Sequence, residues 1–252
     1  MKDSGWKAFL EEVGDIGNFV GRFFKEGLKP RYEWQELLKQ CYIIGYKSFP
    51  LVGITAAIMG LVLTVQSRPT LEEFGAESWL PAMVAISVIR EIGPVITALI
   101  CAGKIGSSIG AELGSMKVTE QIDALVTLST NPIQYLAVPR LIAALVMTPC
   151  LTLISDLMGV VGGSIIAFFA LGVTPDKYYD NIIAYVTIED FFSGFSKSFV
   201  FGVEIALIAC YEGFNTTGGA EGVGRSTIQS VVKASMVVLI SDYFLTYLMQ
   251  VI

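Results

Sequence analysis

Five long apolar stretches, separated by short polar segments, constrain the fold of this 252-residue chain more than any other feature. A helix needs about 20 mostly apolar residues to cross the hydrocarbon core of a bilayer. The stretches are Ser48–Ser67, Trp79–Gly103, Leu141–Pro175, Lys197–Tyr211 with its phenylalanine-rich lead-in, and Lys233–Ile252. Only 16% of the residues are charged, against about 25% in soluble domains. The sequence therefore predicts an all-α polytopic membrane protein with five spanning helices.

Lysine and arginine residues are distributed unevenly among the segments that flank these spans. Most precede the first span or follow the second and fourth, whereas the other two connections contain only Arg68 and Lys177 among acidic residues. Since cytoplasmic loops carry the excess of basic residues, we expect a cytoplasmic N-terminus and a periplasmic C-terminus. The connection after the second span, residues 105–135, is then cytoplasmic.

Residues 1–30 precede the transmembrane domain, which we assign to residues 31–252. Apolar side chains recur there at helical spacing, with charged residues on the opposite face. The apolar positions are Trp6, Phe9, Leu10, Val13, Ile16, Val20, Phe23 and Phe24. The pattern predicts an amphipathic helix in the membrane interface; a helix packed against protein on the cytoplasmic side is the alternative.

Two charged residues and a proline lie near the middle of the second span. Arg90 and Glu91 are adjacent, so their side chains leave a helix in different directions and should meet different partners. Pro94 lacks the N–H that would bond the Arg90 carbonyl, which predicts a kink. Charged groups at membrane depth are costly and commonly functional. The alternatives are a cavity wall or hinge with a functional role and a purely structural ion-pair network.

Single acidic residues, Asp156, Glu204 and Asp242, occur in the last three spans. Each is a candidate proton or cation site, a candidate partner for Arg90, or a residue wet by its closeness to a membrane edge.

A stripe of small residues runs from the second span into the segment that follows it. Its members lie four residues apart: Ala98, Ala102, Gly106, Gly110 and Gly114. Such a stripe lets another helix backbone approach closely. The sequence leaves open whether that helix belongs to the same subunit or to a second one.

The segment Glu112–Leu125 is polar and charged, although it lies between apolar stretches. Thr119 is the predicted N-cap of a short helix, with Glu120 and Asp123 in the first turn, where the helix dipole favours acids. Asn131–Pro132 should end this helix. The segment is either a docking surface for a soluble protein or a surface helix without a partner.

Several functions are disfavoured by what the sequence contains. The net charge of −6 argues against nucleic-acid binding. Histidine is absent and no metal-ligand cluster is visible, so no metal or cofactor is expected in this chain. The glycine-rich segment Asn215–Arg225, expected to form a loop, lacks the P-loop pattern. The sequence also lacks a nucleophile elbow, which argues against an intramembrane enzyme.

The same residues carry a resemblance to a known family. The motifs are Arg90–Val95, Ala102–Ser107, Ala111–Gln121, Asn131–Pro132, Pro139–Arg140, Gly224–Ser226 and Asp242–Thr246. In this order and spacing they resemble the MlaE permease family, the membrane subunits of MCE-type phospholipid ABC transporters.

The resemblance implies a homodimer in the bacterial inner membrane that works with two cytoplasmic ABC ATPases, which bind ATP and Mg²⁺, and with a periplasmic MCE-domain protein. The complex would move phospholipids between the inner and outer membranes, and the lipid pocket would be lined by the first and fifth spans. Coupling to the ATPase would involve the region 105–135, with Glu112, Met116, Thr119, Glu120, Gln121 and Asp123. The polar intramembrane positions would be Arg90, Glu91 and Asp242, and the kink and packing positions Pro94, Gly106, Gly110 and Gly114.

Two alternatives to this function remain. An ion-coupled secondary transporter would use the intramembrane residues Arg90, Glu91, Asp156, Glu204 and Asp242 as a relay. A scaffold that only anchors a soluble partner would tolerate replacement of all five.

Overall fold

The computed structural model describes residues 14–23, 25 and 34–251. Within these residues the chain is almost entirely helical and contains no β-strand. Five helices are long and apolar enough to cross a membrane, which confirms the predicted fold class. They are α2 (Trp34–Glu73), α3 (Glu77–Val118), α5 (Ile133–Phe169), α7 (Ile188–Phe214) and α8 (Gly219–Val251). Two short helices, α4 (Gln121–Thr127) and α6 (Pro175–Tyr185), connect them.

The described part of the N-terminal helix, α1, covers residues 14–23. Phe23 is buried, and the Phe19 ring lies 5.9 Å from that of Tyr211 and 6.0 Å from that of Phe214 at the end of α7. Asp15 and Arg22 are exposed, so this stretch has the predicted amphipathic character and its apolar face contacts protein. Residues 1–13, which include Trp6 and Phe9 of the predicted pattern, lie outside the described residues.

The spanning helices are longer than the apolar stretches that predicted them. α3 runs 15 residues past Gly103, so Glu112 and Met116 belong to the second spanning helix rather than to a separate segment. α8 begins at Gly219, so the expectation of a loop over Asn215–Arg225 is wrong for most of its length. Apolar composition marks only the part of a helix that meets hydrocarbon, whereas helical hydrogen bonding continues into polar residues.

Wide π-helical turns precede two of the prolines inside the long helices. In α3 the turn covers Val88–Ile92, where the Gly93 N–H donates to the Val88 carbonyl, and Pro94 follows. In α5 the turn covers Ile133–Ala137, before Pro139. A wide turn inserts one residue into the helix and re-aims the side chains beside it. The irregularity predicted at Pro94 therefore takes the form of a π-turn, which sets the directions of Arg90 and Glu91.

The small-residue stripe of α3 packs within the subunit, which decides the question that the sequence left open. A Cβ at Gly110 would lie 3.6 Å from the Ser226 carbonyl, and one at Gly106 would lie 3.8 Å from the Ser230 carbonyl, both on α8. At Gly114 the close neighbour is Thr216, in the turn between α7 and α8. Glycine thus allows α3 and α8 to approach closely in one chain.

The short helices α4 and α6 lie at opposite ends of the bundle. At the α4 end, the C-terminus of α3 meets the turn between α7 and α8 through Gly114 and Thr216. At the α6 end, Asn181 donates to the Ser78 carbonyl at 2.9 Å and accepts from the Ala82 N–H at 3.1 Å, which joins α6 to the start of α3.

The contact between α2 and α5 should tolerate no added side-chain atom. A Cβ at Gly60 would overlap the backbone carbonyl of Gly159, so Gly60→Ala forces the helices apart and should cost about 1–3 kcal/mol of stability. Gly103→Ala is the control, because a Cβ there meets no atom within 4 Å. Thermal unfolding in detergent should show a lower Tm for Gly60→Ala alone. Equal Tm values would contradict this packing.

Candidate functional site

A buried lysine donates hydrogen bonds to side chains of two other helices inside the bundle. The Lys197 side chain on α7 is fully buried, and its Nζ lies 2.6 Å from Glu91 Oε2 on α3. The same atom lies 3.2 Å from Asp242 Oδ1 and 2.6 Å from Thr246 Oγ1 on α8. An ammonium has three donors, and here each meets one acceptor. We call Glu91, Lys197, Asp242 and Thr246 the Lys197 cluster.

Helix geometry explains why the cluster forms. Asp242 and Thr246 are four residues apart, so they lie on the same face of α8. The Thr246 hydroxyl also lies 3.3 Å from Glu91 Oε2, which closes the cluster. Lys197 is 0% exposed whereas the Glu91 and Asp242 side chains are 34% and 21% exposed. The carboxylates therefore form the accessible side of the cluster.

Arg90 turns away from this cluster. Its Nη1 lies 3.5 Å from Asp190 Oδ1 in the first turn of α7. Asp190 Oδ2 in turn accepts from the Thr187 N–H at 3.0 Å and from the Thr187 hydroxyl at 2.7 Å, so the helix cap holds the carboxylate in place. The prediction that Arg90 and Glu91 have different partners is confirmed.

An open cleft of about 480 Å³ lies beside the Arg90–Asp190 pair. Its other lining residues are Glu189, Phe192, Ser193, Ser196 and Met249. The volume is in the range of small-ligand pockets, and the lining mixes apolar side chains with charged ones.

The three single acids of the later spans have separate environments. Asp242 belongs to the Lys197 cluster, and Glu204 accepts from the Ser241 hydroxyl at 2.8 Å. Asp156 is 8% exposed, and its Oδ1, which lies against Gly93, has no hydrogen-bond partner among the described residues. The possibility that one of them pairs with Arg90 is wrong, because Asp190 fills that position. No continuous relay connects them in the described part of the chain.

The sequence reasoning missed three residues of these sites. Lys197 stands at the edge of the predicted fourth span and Asp190 lies before it, because the uninterrupted apolar stretch begins only after them. Arg140 lies just outside the predicted third span, yet its side chain is 1% exposed. The signal available for Lys197 and Asp190 was the phenylalanine-rich lead-in, Phe191–Phe195, which extends the fourth helix back to Ile188.

The predicted docking residues lie where α3 ends and α4 begins. Thr119 is the C-cap of α3, so its assignment as the N-cap of α4 is wrong. Glu120 occupies that N-cap position, with a left-handed backbone at φ 59°, and the helix ends at Thr127, before Asn131–Pro132. A left-handed residue interrupts the right-handed helical path between α3 and α4, and the N-cap pattern in the sequence does not encode that interruption.

Most of the six docking residues remain accessible. Thr119, Glu120 and Gln121 are exposed, and the Gln121 amide donates to the Thr119 hydroxyl at 3.0 Å. Asp123 is 58% exposed and pairs with Lys117 at 2.9 Å. Two residues are engaged with the bundle: Met116 packs against the apolar core, and Glu112 forms an ion pair with Arg140 at 2.8 Å.

Lys197→Met should destabilise the protein because it leaves two carboxylates without their cation. Removing one partner of a buried pair costs about 3–5 kcal/mol, and the partly exposed carboxylates place this case at the lower end. Adding Glu91→Gln and Asp242→Asn should recover much of the loss. Lys39→Met, which breaks the exposed Lys39–Glu36 pair, is the control. Thermal unfolding gives the Tm of the wild type, Lys197→Met, the triple variant and the control. A Lys197→Met protein as stable as the control would contradict this role.

Comparison with known proteins identifies the family. The sequence profile described as "Permease MlaE" matches residues 37–248. A probable ABC transporter permease protein of Rickettsia typhi, RT0041, is 42% identical over 241 residues, which cover 96% of this chain and 93% of the relative. The corresponding protein slr1045 of Synechocystis is 40% identical over 91% of this chain and 88% of its own length. This chain belongs to the MlaE permease family and is a permease of an ABC transporter.

Proposed function

We propose that this protein is the permease subunit of an ATP-driven transporter that moves phospholipids between the inner and outer membranes together with a periplasmic MCE-domain protein. The observation that carries the proposal is the family match over residues 37–248, joined to relatives named as ABC transporter permeases. Such a permease takes its energy from a separate ATPase, which binds ATP and Mg²⁺. The chain is then not itself an enzyme.

The α4 end supports the ATPase part of this proposal. Glu120, Gln121 and Asp123 present polar and charged groups there, and Val126 and Leu128 are 57% and 74% exposed. An exposed apolar pair beside charged groups has the composition of a protein interface. We assign the region 105–135 to ATPase coupling and place it on the cytoplasmic side, in agreement with the excess of basic residues in the sequence near this end.

The lipid part of the proposal is supported by the faces that the chain leaves uncovered. In the most apolar 18 residues of α8, only 11% are buried within the chain. The corresponding share is 33% in α2 and 44% in each of α3, α5 and α7. Ile54 and Ile58 on α2 and Phe244 and Leu248 on α8 are more than half exposed. In a homodimer in the bacterial inner membrane, such faces would line an apolar pocket suited to acyl chains.

The ion-coupled alternative receives less support. Asp156, Glu204 and Asp242 meet different partners or none, so they give an ion no continuous route through the described residues. The relatives, moreover, are named as ABC permeases.

Glu120→Lys tests the docking assignment without disturbing the bundle. Glu120 is exposed, and its left-handed backbone strains lysine no more than it strains glutamate. If the ATPase groove is complementary to this acidic turn, charge reversal should weaken ATPase binding by at least about tenfold, the equivalent of 1.4 kcal/mol. Glu73→Lys, an exposed acid at the α6 end, is the control. Titration of purified ATPase onto the reconstituted chain measures the affinity, and unchanged binding by Glu120→Lys would contradict the assignment.

The composition of the whole complex can be tested by native mass spectrometry on protein extracted gently from its host membrane. We expect two copies of this chain, a pair of ATPase subunits, an MCE-domain protein and bound phospholipid. A chain that recruits no ATPase, even when ABC ATPases of the same host are overproduced, would overturn the proposal in favour of ion coupling.

A further inference from the structure

Arg140 is a buried arginine at the start of α5, on the α4 end of the bundle. Its side chain is 1% exposed, and its Nη1 donates to the carbonyl of Leu136, one turn earlier, at 2.6 Å. A guanidinium is always charged and holds its donors in a rigid plane. A buried guanidinium therefore holds its hydrogen-bond acceptors in a defined position.

The guanidinium joins the two helices that flank α4. Its Nη2 lies 2.8 Å from Glu112 Oε2 on α3, so the ion pair closes the chain between residues 112 and 140, which contains all of α4. The Glu36 carboxylate of α2 and the Cys210 thiol of α7 also lie within electrostatic range of Arg140. The α4 segment is thus anchored by an ion pair between the helix that precedes it and the helix that follows it.

This ion pair uses only part of the binding capacity of Arg140. Its Nε is buried and has no hydrogen-bond partner among the described residues. Arginine and carboxylate commonly pair through two parallel hydrogen bonds, one of which can use Nε. A small shift of Glu112 relative to α5 would bring its second oxygen onto Nε and satisfy the free donor. The joint therefore has an unused donor that could hold Glu112 in a second arrangement, as a switching element requires.

We propose that Arg140 is a positioning residue that sets the place of α4 relative to α5, and that displacement of α4 by the ATPase reaches the bundle through the Arg140–Glu112 pair. This inference rests on the proposed function, because the ATPase supplies the displacement. The exposed docking residues Thr119, Glu120, Gln121 and Asp123 lie further along the chain, so Arg140 acts on them only through Glu112.

Arg140→Lys tests the inference, because lysine keeps the charge but lacks the rigid plane of donors with which Arg140 holds the Leu136 carbonyl and Glu112 together. The matched control is Glu212→Gln, which breaks the 2.6 Å Glu212–Lys233 pair between α7 and α8. Glu212 is adjacent to Gly213, which packs against Leu113, so the control pair lies at the same depth. Should Arg140→Lys fail to fold, Glu112→Gln removes the same pair from its exposed side.

The first readout is hydrogen exchange of the full chain in lipid nanodiscs. Arg140→Lys should speed amide exchange in residues 115–130 and leave α6 unchanged, whereas Glu212→Gln should leave both segments unchanged. Exchange at wild-type rates in residues 115–130 would overturn the positioning role.

The second readout is the amount of phospholipid moved per ATP hydrolysed by the reconstituted complex. Arg140→Lys should bind the ATPase as the wild type does and lower this ratio about fivefold or more, as expected for the loss of a coupling contact. A lower Tm with an unchanged ratio would mean that Arg140 is only structural, and would overturn the inference alone. A wild-type chain that recruits no ATPase would overturn the proposed function and the transmission step together, while the exchange data would still decide whether Arg140 positions α4.

Discussion

The need to bond every backbone N–H and C=O within the chain governs this structure, because hydrocarbon offers no alternative partner. It makes the spanning segments helical, and it explains why Pro94 in α3 and Pro139 in α5 are preceded by wide turns instead of breaks. It also explains the importance of glycine at Gly60 and Gly110, since dispersion contacts between closely approaching backbones replace the hydrophobic effect as a source of helix association. Five helices held in this way present fixed positions for the polar side chains.

Those polar side chains are arranged in two separate groups. Lys197 pairs with Glu91 and Asp242 inside the bundle, where an unpaired charge would be costly, while Arg90 reaches the first turn of α7. The second group, around Arg140, lies at the end where the helices meet α4. In the proposed transporter, the second group would lie near the surface that binds the ATPase. α3 carries residues of both groups, which makes it the helix that links the two.

How much the sequence revealed differs between elements for physical reasons. Helix number followed from apolar length, and the divergence of Arg90 and Glu91 followed from helix geometry. The N-cap that the sequence predicts for α4 is wrong, because Glu120 adopts a left-handed backbone that glutamate rarely takes. Lys197, Asp190 and Arg140 were missed as site residues, because a charge beside an apolar stretch looks like the edge of a span unless its partners on other helices are known.

The sequence by itself determined that the chain crosses a membrane five times, carries an amphipathic N-terminal stretch and belongs with the MlaE permeases, since these depend on local composition, period and motif spacing. Only the tertiary structure decided three contacts. The glycine stripe of α3 packs on α8 of the same chain, Lys197 pairs with Glu91 and Asp242 inside the bundle, and Arg140 pairs with Glu112. Each of these depends on residues brought together from 28 to 155 positions apart, and no local pattern specifies which helix faces which. Close backbone packing does, because it permits only the neighbours whose surfaces fit.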